Sequence, residues 1–369
     1  MSTLSALYGL HSVIRGRFCV TLPIPAPSSE LASQTFIVTG ANSGLGYESC
    51  LQLARIGAGR LILAVRTLSK GEEAKQKILA TTTSNNWRSA SSPIDIQVWQ
   101  LDMDSFVSIK AFAGRCATEL DRIDGVLANA GIMTAKLDST EKFEKTLQVN
   151  VLGTLYLYLL LLPAMRASAA RTGVACRFTI PNSALHYSAS TAEILAGLKD
   201  GDDAAAGREA ARKSSKTPII DRLNDPEKAD MAARYPLSKL LILYAVRELS
   251  SRSNSNSSSS SSTTKSGNVI LNTPNPSFCK SDLARESAGS KGFQAFERVM
   301  ARTAEEGSRT LVHGLLGGPE TDGQYLADCR VEVPAKFVTN QWGQMVQKKF
   351  VDELLVRLER VDPGISSNI

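Results

Sequence analysis

From Thr35 onward the chain alternates short apolar, β-branched runs with stretches of helical period, and no other feature narrows the fold as far. TFIVTG (35–40) reads as a strand ending on glycine, and Leu45 to Ile56 have helical spacing that stops at Gly57. RLILAV (60–65), a helix from about Ser69, IDIQVW (94–99), a helix from Ser105, DGVLANAG (124–131) and a long apolar helix around 142–170 continue the pattern. Residues 174–181, NVILNT (268–273) and GQYLADC (323–329) bring the strands to seven, and an amphipathic helix over about 339–359 follows. Strands joined through helices run parallel, and right-handed crossovers place those helices on both faces. The expectation is an α/β protein with a doubly wound, seven-stranded parallel sheet.

The remaining segments break this pattern. Residues 1–33 show no clear periodicity and carry Pro23, Pro25 and Pro27, so they read as an extension packed over, or hanging from, a single catalytic domain at 34–335. Within that domain a polar, alanine-rich insertion occupies about 189–230. The serine run from Ser250 predicts a disordered surface loop over about 250–266, because it has nothing to bury. Residues 336–369 read as a C-terminal helical extension. The strongest apolar run, Val151 to Leu162, is closed by Pro163 and falls short of the ~20 residues of a membrane span; a buried helix fits it better.

Composition excludes more than it selects. A net charge of +6 without a Lys/Arg block gives no nucleic-acid signature. The six cysteines are scattered without a C-x-x-C pair, and three histidines supply no zinc spacing, so neither a metal site nor a disulfide framework is expected. Reduced thiols and the lack of a secretory pattern at the N-terminus point to the cytoplasm.

Two motifs carry chemistry. In Thr39-Gly40-Ala41-Asn42-Ser43-Gly44-Leu45-Gly46, missing side chains let the backbone turn tightly between strand and helix. The free N–H groups and positive end of that helix then suit a pyrophosphate. The second strand ends Ala64-Val65-Arg66-Thr67 with no carboxylate for a ribose 2′-hydroxyl; Arg66 instead offers a fork suited to a 2′-phosphate, which selects NADP(H). In Tyr235-Pro236-Leu237-Ser238-Lys239, phenol and ammonium lie four apart on one helical face, and a fixed cation lowers a phenol's pKa. Pro236 is tolerable if it falls in the first turn.

Together with Leu101-Asp102-Met103, Asn129-Ala130-Gly131, Asn150 and Ser183 in that order, these motifs resemble the short-chain dehydrogenase/reductase superfamily over most of 34–330. LILAVR, LANAGIM and GQYLADC are most similar to its retinol-dehydrogenase-like branch, and the chain also resembles fungal secondary-metabolite reductases. The resemblance implies a Rossmann-type domain interconverting a carbonyl and an alcohol. Tyr235 would exchange the proton, and Lys239 would hold the nicotinamide ribose and lower the Tyr235 pKa. Ser183 would orient the substrate oxygen, and the Asn150 backbone would hold a water linking Lys239 to solvent. Gly40, Asn42, Ser43, Gly44, Leu45 and Gly46 would cradle the pyrophosphate, and Asp102 and Met103 would flank the adenine. Asn129, with Ala130 and Gly131, would seat the adenosine ribose. The loop of Pro276, Ser277, Phe278 and Ser281 would reach the nicotinamide amide. Family members are often dimers or tetramers, so a homo-oligomer follows unless the insertions block those surfaces.

Two departures stand out: Pro181-Asn182-Ser183 replaces the family's paired serines, and Ser277 and Ser281 replace its glycine and threonine, which puts the loop's geometry in question. His186 resembles a common non-catalytic histidine of the branch, and Cys279 carries no sign of a depressed pKa. The competing readings are a catalytically silent NADP(H) binder, against which the intact catalytic set argues, and a membrane-associated lipid or retinoid enzyme anchored by residues 1–30, whose amphipathicity is weak.

Overall fold

The computed structural model describes residues 3–84, 94–191, 194, 218–227, 229–257, 268–280, 283 and 291–369. The described residues form ten strands, β1 (Thr35–Thr39), β2 (Arg60–Val65), β3 (Asp95–Gln100), β4 (Gly125–Leu127), β5 (Ser139–Thr140), β6 (Phe143–Glu144), β7 (Cys176–Thr179), β8 (Val269–Asn275), β9 (Tyr325–Ala327) and β10 (Arg330–Val331). Eight form one sheet in the order β10-β9-β8-β7-β4-β1-β2-β3, while β5 and β6 make a separate antiparallel hairpin. The sheet therefore has eight strands, not seven. The extra one, β10, pairs antiparallel with β9 and is two exposed residues long, too short for any period to register in the sequence.

Alternate residues of each strand feed opposite layers. Ile37, Ile62 and Ala64 face helices Phe106–Glu119, Thr154–Thr172, Met231–Ser257 and Gln341–Val361. Phe36, Val38, Leu61 and Leu63 face helices Gly44–Ile56, Leu68–Ser84 and Ala304–Leu315. The chain steps from β1 out to β3 and returns to β4 on the other side of β1. A crevice at the carboxyl ends of strands flanking such a reversal is where α/β sheets bind ligands.

The long apolar helix expected around 142–170 forms, running through Pro163 to Thr172. Proline withholds the N–H that would bond the Leu159 carbonyl, and Asn368 Nδ2 donates to that carbonyl instead, at 3.0 Å. Among the described residues the stretch Lys145–Thr172 is long and apolar enough to cross a bilayer, yet 83% of its apolar window is buried in the fold, as a core helix is.

The serine run does not begin a loop at Ser250, because helix Met231–Ser257 carries it. Its polar side chains have partners there: Ser250 Oγ and Asn254 Nδ2 each donate to Asp322 Oδ2 at 2.8 Å, and Arg252 reaches Glu248 and Asp352. Residues 258–267, the rest of the expected loop, lie outside the described residues, as does most of the insertion at 189–230. Pro236 is one turn inside this helix rather than in its first turn.

At the N-terminus, Thr3–Cys19 form a helix packed on the domain, the first of the two alternatives expected for residues 1–33. At the other end, Val346, Phe350, Leu354 and Leu358 of Gln341–Val361 are fully buried in the main core and make the apolar face of the amphipathic helix expected over about 339–359.

Candidate active site

A cavity of about 1240 Å³ opens over the carboxyl ends of the parallel strands. Its floor is the glycine-rich turn after β1. Gly40 and Gly44 take φ of +65° and +54°, which L side chains rarely adopt. A Cβ on Gly46 would stand 2.5 Å from the Gly40 carbonyl oxygen, so this glycine acts by letting helix Gly44–Ile56 close onto the turn. Gly40, Asn42, Ser43, Gly44 and Leu45 line the cavity; Gly46 lies behind them. Ser43 begins the helix without capping it through its side chain, leaving the first-turn N–H groups to face the cavity end of the helix.

Arg66 is exposed at the end of β2 and lines the cavity, and so does Lys70, a second cation one turn further on that the sequence reading passed over. Asp102 and Met103 line it after β3, and Asn129, Ala130 and Gly131 after β4. The Asn129 amide is directed inward, however. Its Nδ2 donates to the Thr39 and Gly40 carbonyls at 3.1 and 3.4 Å, and Ala130 N–H donates to Thr39 Oγ1 at 2.9 Å. Asn129 thus braces the glycine turn rather than offering its amide to a ribose.

The reacting end lies where helix Met231–Ser257 passes β7. Tyr235 and Lys239 are each 8% exposed, with the ammonium nitrogen 5.5 Å from the phenol ring centre. Lys239 Nζ donates to the Pro181 carbonyl at 2.8 Å. Burial pulls its pKa down to about 8. Burial also raises the Tyr235 pKa, and a hydrogen bond with Ser183 offsets part of that rise. In the protein alone desolvation dominates at the phenol, and the hydrogen bond with Ser183 is what favours phenolate.

Ser183, Tyr235 and Lys239 all line the cavity. Asn150 does not. It sits in a π-helical turn, Gln148–Gly153, where its Oδ1 accepts from Ile132 N–H at 2.8 Å. Its Nδ2 donates to the Ile132 carbonyl and to Ser238 Oγ at 2.9 and 3.1 Å. The side chain thereby ties the segment after β4 to the Tyr235 helix. Asn182, which the sequence reading gave no role, acts likewise: Nδ2 donates to the Lys239 carbonyl at 3.2 Å and to Thr273 Oγ1 at 3.1 Å. Only a polar residue at a strand end hinted at it.

The loop after β8 brings Pro276, Ser277 and Phe278 to the cavity, while Ser281 lies outside the described residues. Ser277 adopts φ +69°, the glycine conformation, held by its N–H donating to Asn275 Oδ1 at 2.9 Å. Ser277 pays for this left-handed conformation with about 1–2 kcal/mol of backbone strain. His186 is fully buried. Nδ1 and the Ser183 carbonyl lie 2.8 Å apart, and Ala335 N–H donates to Nε2 at 3.2 Å. Burial lowers its pKa to about 4, so it is a neutral structural link. Cys279 is buried, its pKa raised to about 12, which leaves no thiolate for redox chemistry.

Residues 34–179 match the model of the short chain dehydrogenase family. Over 352 residues, 94% of this chain and 96% of the relative, it is 36% identical to the short chain dehydrogenase/reductase dmxR8 of Cryptosporiopsis. The chain belongs to the short-chain dehydrogenase/reductase family. A second fungal member, the short-chain dehydrogenase/reductase phmF of Phaeosphaeria nodorum, is 32% identical over 96% of this chain and 95% of its own. Among solved structures, the fold is shared with an uncharacterized protein of Mycobacterium paratuberculosis, at TM-score 0.58 and 20% identity over 91% of this chain and 97% of that one. It is shared too with 3-ketoacyl-(acyl-carrier-protein) reductase of Brucella melitensis complexed with NADH, at TM-score 0.51 and 15% identity over 80% and 96%. The Pseudomonas aeruginosa RhlG/NADP complex matches at TM-score 0.53 and 18% identity over 80% and 95%. Proteins of this fold are thus seen in complex with either dinucleotide.

Proposed function

We propose that this short-chain dehydrogenase/reductase is an NADP(H)-dependent enzyme interconverting a ketone or aldehyde and the corresponding alcohol on a mostly apolar small molecule, within fungal secondary metabolism. The observation that carries the reading is a single cavity lined at one end by Ser183, Tyr235 and Lys239 and at the other by the glycine turn with Arg66 and Lys70. The residues fit a dinucleotide with an additional phosphate. The uncapped helix start at Ser43 and the positive-φ glycines suit the pyrophosphate, and two cations stand at the end of β2 where an NAD-type carboxylate is missing.

When bound, the dinucleotide supplies or takes up the hydride. Ser183 and Tyr235 would both hydrogen-bond the substrate oxygen, with Lys239 beside them against the nicotinamide ribose. Burial favours the protonated phenol, the form that gives a proton to a carbonyl oxygen as it gains negative charge, so the electrostatics suit reduction. Lys239, with its pKa near neutrality, would pass a proton on towards that phenol.

The test is NADPH consumption by purified protein with a panel of uncharged ketones and aldehydes. Turnover is expected with bulky apolar members. Tyr235→Phe should lower kcat by about 10²–10⁴ with NADPH affinity within about twofold. Tight NADPH binding without oxidation by any carbonyl would instead identify a silent cofactor binder.

A further inference from the structure

Charge is distributed unevenly around the cavity. Among the described residues, every charged lining residue other than Lys239 falls between Arg66 and Lys145, whereas the lining residues contributed by 9–13, 181–188, 276–279, 283 and 296 are uncharged. This neutral end adjoins Ser183 and Tyr235. Helix Thr3–Cys19 borders it, and its Leu10 and Val13 line the cavity together with Leu185, Tyr187, Phe278 and Phe296. Phe278 and Phe296 pair at 5.5 Å between ring centres, and Tyr8 packs on Tyr187 at 5.0 Å.

The helix is fixed there by features that serve no other evident purpose. It carries two interior glycines, each costing about 1 kcal/mol in helix propensity. Both lie on its buried face, seven residues apart. A Cβ on Gly9 would be 3.1 Å from Tyr187 Cβ, and one on Gly16 would be 3.2 Å from Arg302 Nη2. Arg302 is 3% exposed, and its Nη2 donates to the Gly16 carbonyl and to Asp328. Its backbone N–H donates to Phe278 O, and its carbonyl accepts from Lys280 N–H. One buried arginine thus joins the N-terminal helix to the loop after β8. Arg17 Nε adds a bond to the Val299 carbonyl at 3.2 Å.

We propose that helix Thr3–Cys19 is the substrate-selecting wall of this site, and that the compartment it closes takes an uncharged, multi-ring ketone or its alcohol. The proposal rests on the carbonyl-reductase reading and deepens it. A cavity of about 1240 Å³ exceeds the roughly 300–1,000 Å³ that a single small ligand occupies, which leaves room for a ring system beside the dinucleotide. Flat rings suit a space bounded by aromatic faces. Leu10 and Val13 are the specificity residues, and Gly9, Gly16 and Arg302 position them.

The test compares acetylnaphthalene with butanone as substrates for the full chain and for Leu10→Arg, a substitution at a half-exposed position that folding tolerates. A cation in the apolar compartment should raise KM for acetylnaphthalene at least about tenfold, leaving kcat/KM for butanone and the NADPH Kd within about twofold. Gly9→Leu, which lifts the helix from Tyr187, should act in the same direction. An unchanged acetylnaphthalene KM, or equal losses for both ketones, overturns the proposal. Calorimetric binding of acetylnaphthalene to the NADP⁺-loaded protein keeps the two readings apart. Binding that Leu10→Arg weakens, without turnover of either ketone, supports the wall while defeating the reductase reading. No binding, or binding indifferent to Leu10→Arg, overturns the wall itself.

Discussion

Replacing Lys239 with methionine isolates the energetic consequence of burying an amine at the reacting end of the cavity. Lys239 is 8% exposed, and desolvation lowers its pKa from the ordinary 10.5 to about 8. Below pH 8 both folded and unfolded chains carry the proton, and folding bears the full cost of the buried charge. Between pH 8 and 10.5 the unfolded chain holds the proton and the folded one releases it, so stability rises with pH. Above 10.5 neither state is charged and the cost is gone. The interval corresponds to about 3 kcal/mol. Methionine fills similar space and does not titrate, so the stability of the wild type relative to Lys239→Met should climb by about 3 kcal/mol from pH 7 to pH 10.5. Urea denaturation of both proteins across that range measures it, and other titrating groups cancel in the difference. A difference that stays flat with pH would refute the reasoning, because it would mean the amine keeps its ordinary pKa in the fold. At pH 7 Lys239→Met should therefore be no less stable by more than the lost bond to the Pro181 carbonyl, about 1.5–3 kcal/mol, while turnover disappears.

Three further outcomes are expected. Ser277→Val should be about 1–2 kcal/mol less stable than Ser277→Gly by chemical denaturation, since only glycine takes φ +69° without strain; equal stabilities would remove the left-handed turn. Arg66→Asp should weaken NADPH binding by tenfold or more, about 1.5–3 kcal/mol for a charge-assisted phosphate contact, and shift preference towards NADH. Lys70→Ala should weaken NADPH further without touching NADH affinity, and titration with both dinucleotides decides. Ser250→Val should cost about 1–3 kcal/mol in urea midpoint analysis, because Asp322 loses a buried donor; a neutral result would return the serine segment to the status of a passive linker.

How far the sequence could be read depended on whether a feature was local. The strand–turn–helix at 35–56 and the pair Tyr235/Lys239 are specified by neighbouring residues, and they fold where their spacing places them. The N-terminal wall was illegible for a physical reason: its docking face is made of Gly9 and Gly16, and Leu7, Ile14 and Phe18 remain exposed on the outside. Hydrophobic periodicity looks for the reverse arrangement. The helical start of the serine run escaped because its stability comes from Asp322 and Asp352, far along the chain. The Leu159 carbonyl that Pro163 leaves without its helical donor is likewise satisfied from afar, by Asn368, 209 positions away.

The same contrast separates two kinds of polar residue in the site. Asn129, Asn150 and Asn182 each use a side-chain amide to bridge backbone from separate segments: the glycine turn, the strand end after β4, and the Lys239 turn of its helix. An amide offers donors and an acceptor in one rigid plane and carries no charge, so it can be buried with both ends satisfied at little desolvation cost. Groups that must exchange protons cannot serve as braces, because a brace is held by the very bonds that a reaction would have to break. Tyr235 and Ser183 accordingly face the cavity, and Lys239 anchors through one donor while an ammonium retains two more. Replacing an asparagine should therefore disturb geometry and cofactor affinity together, whereas replacing Tyr235 should silence chemistry in a cavity whose shape is unchanged.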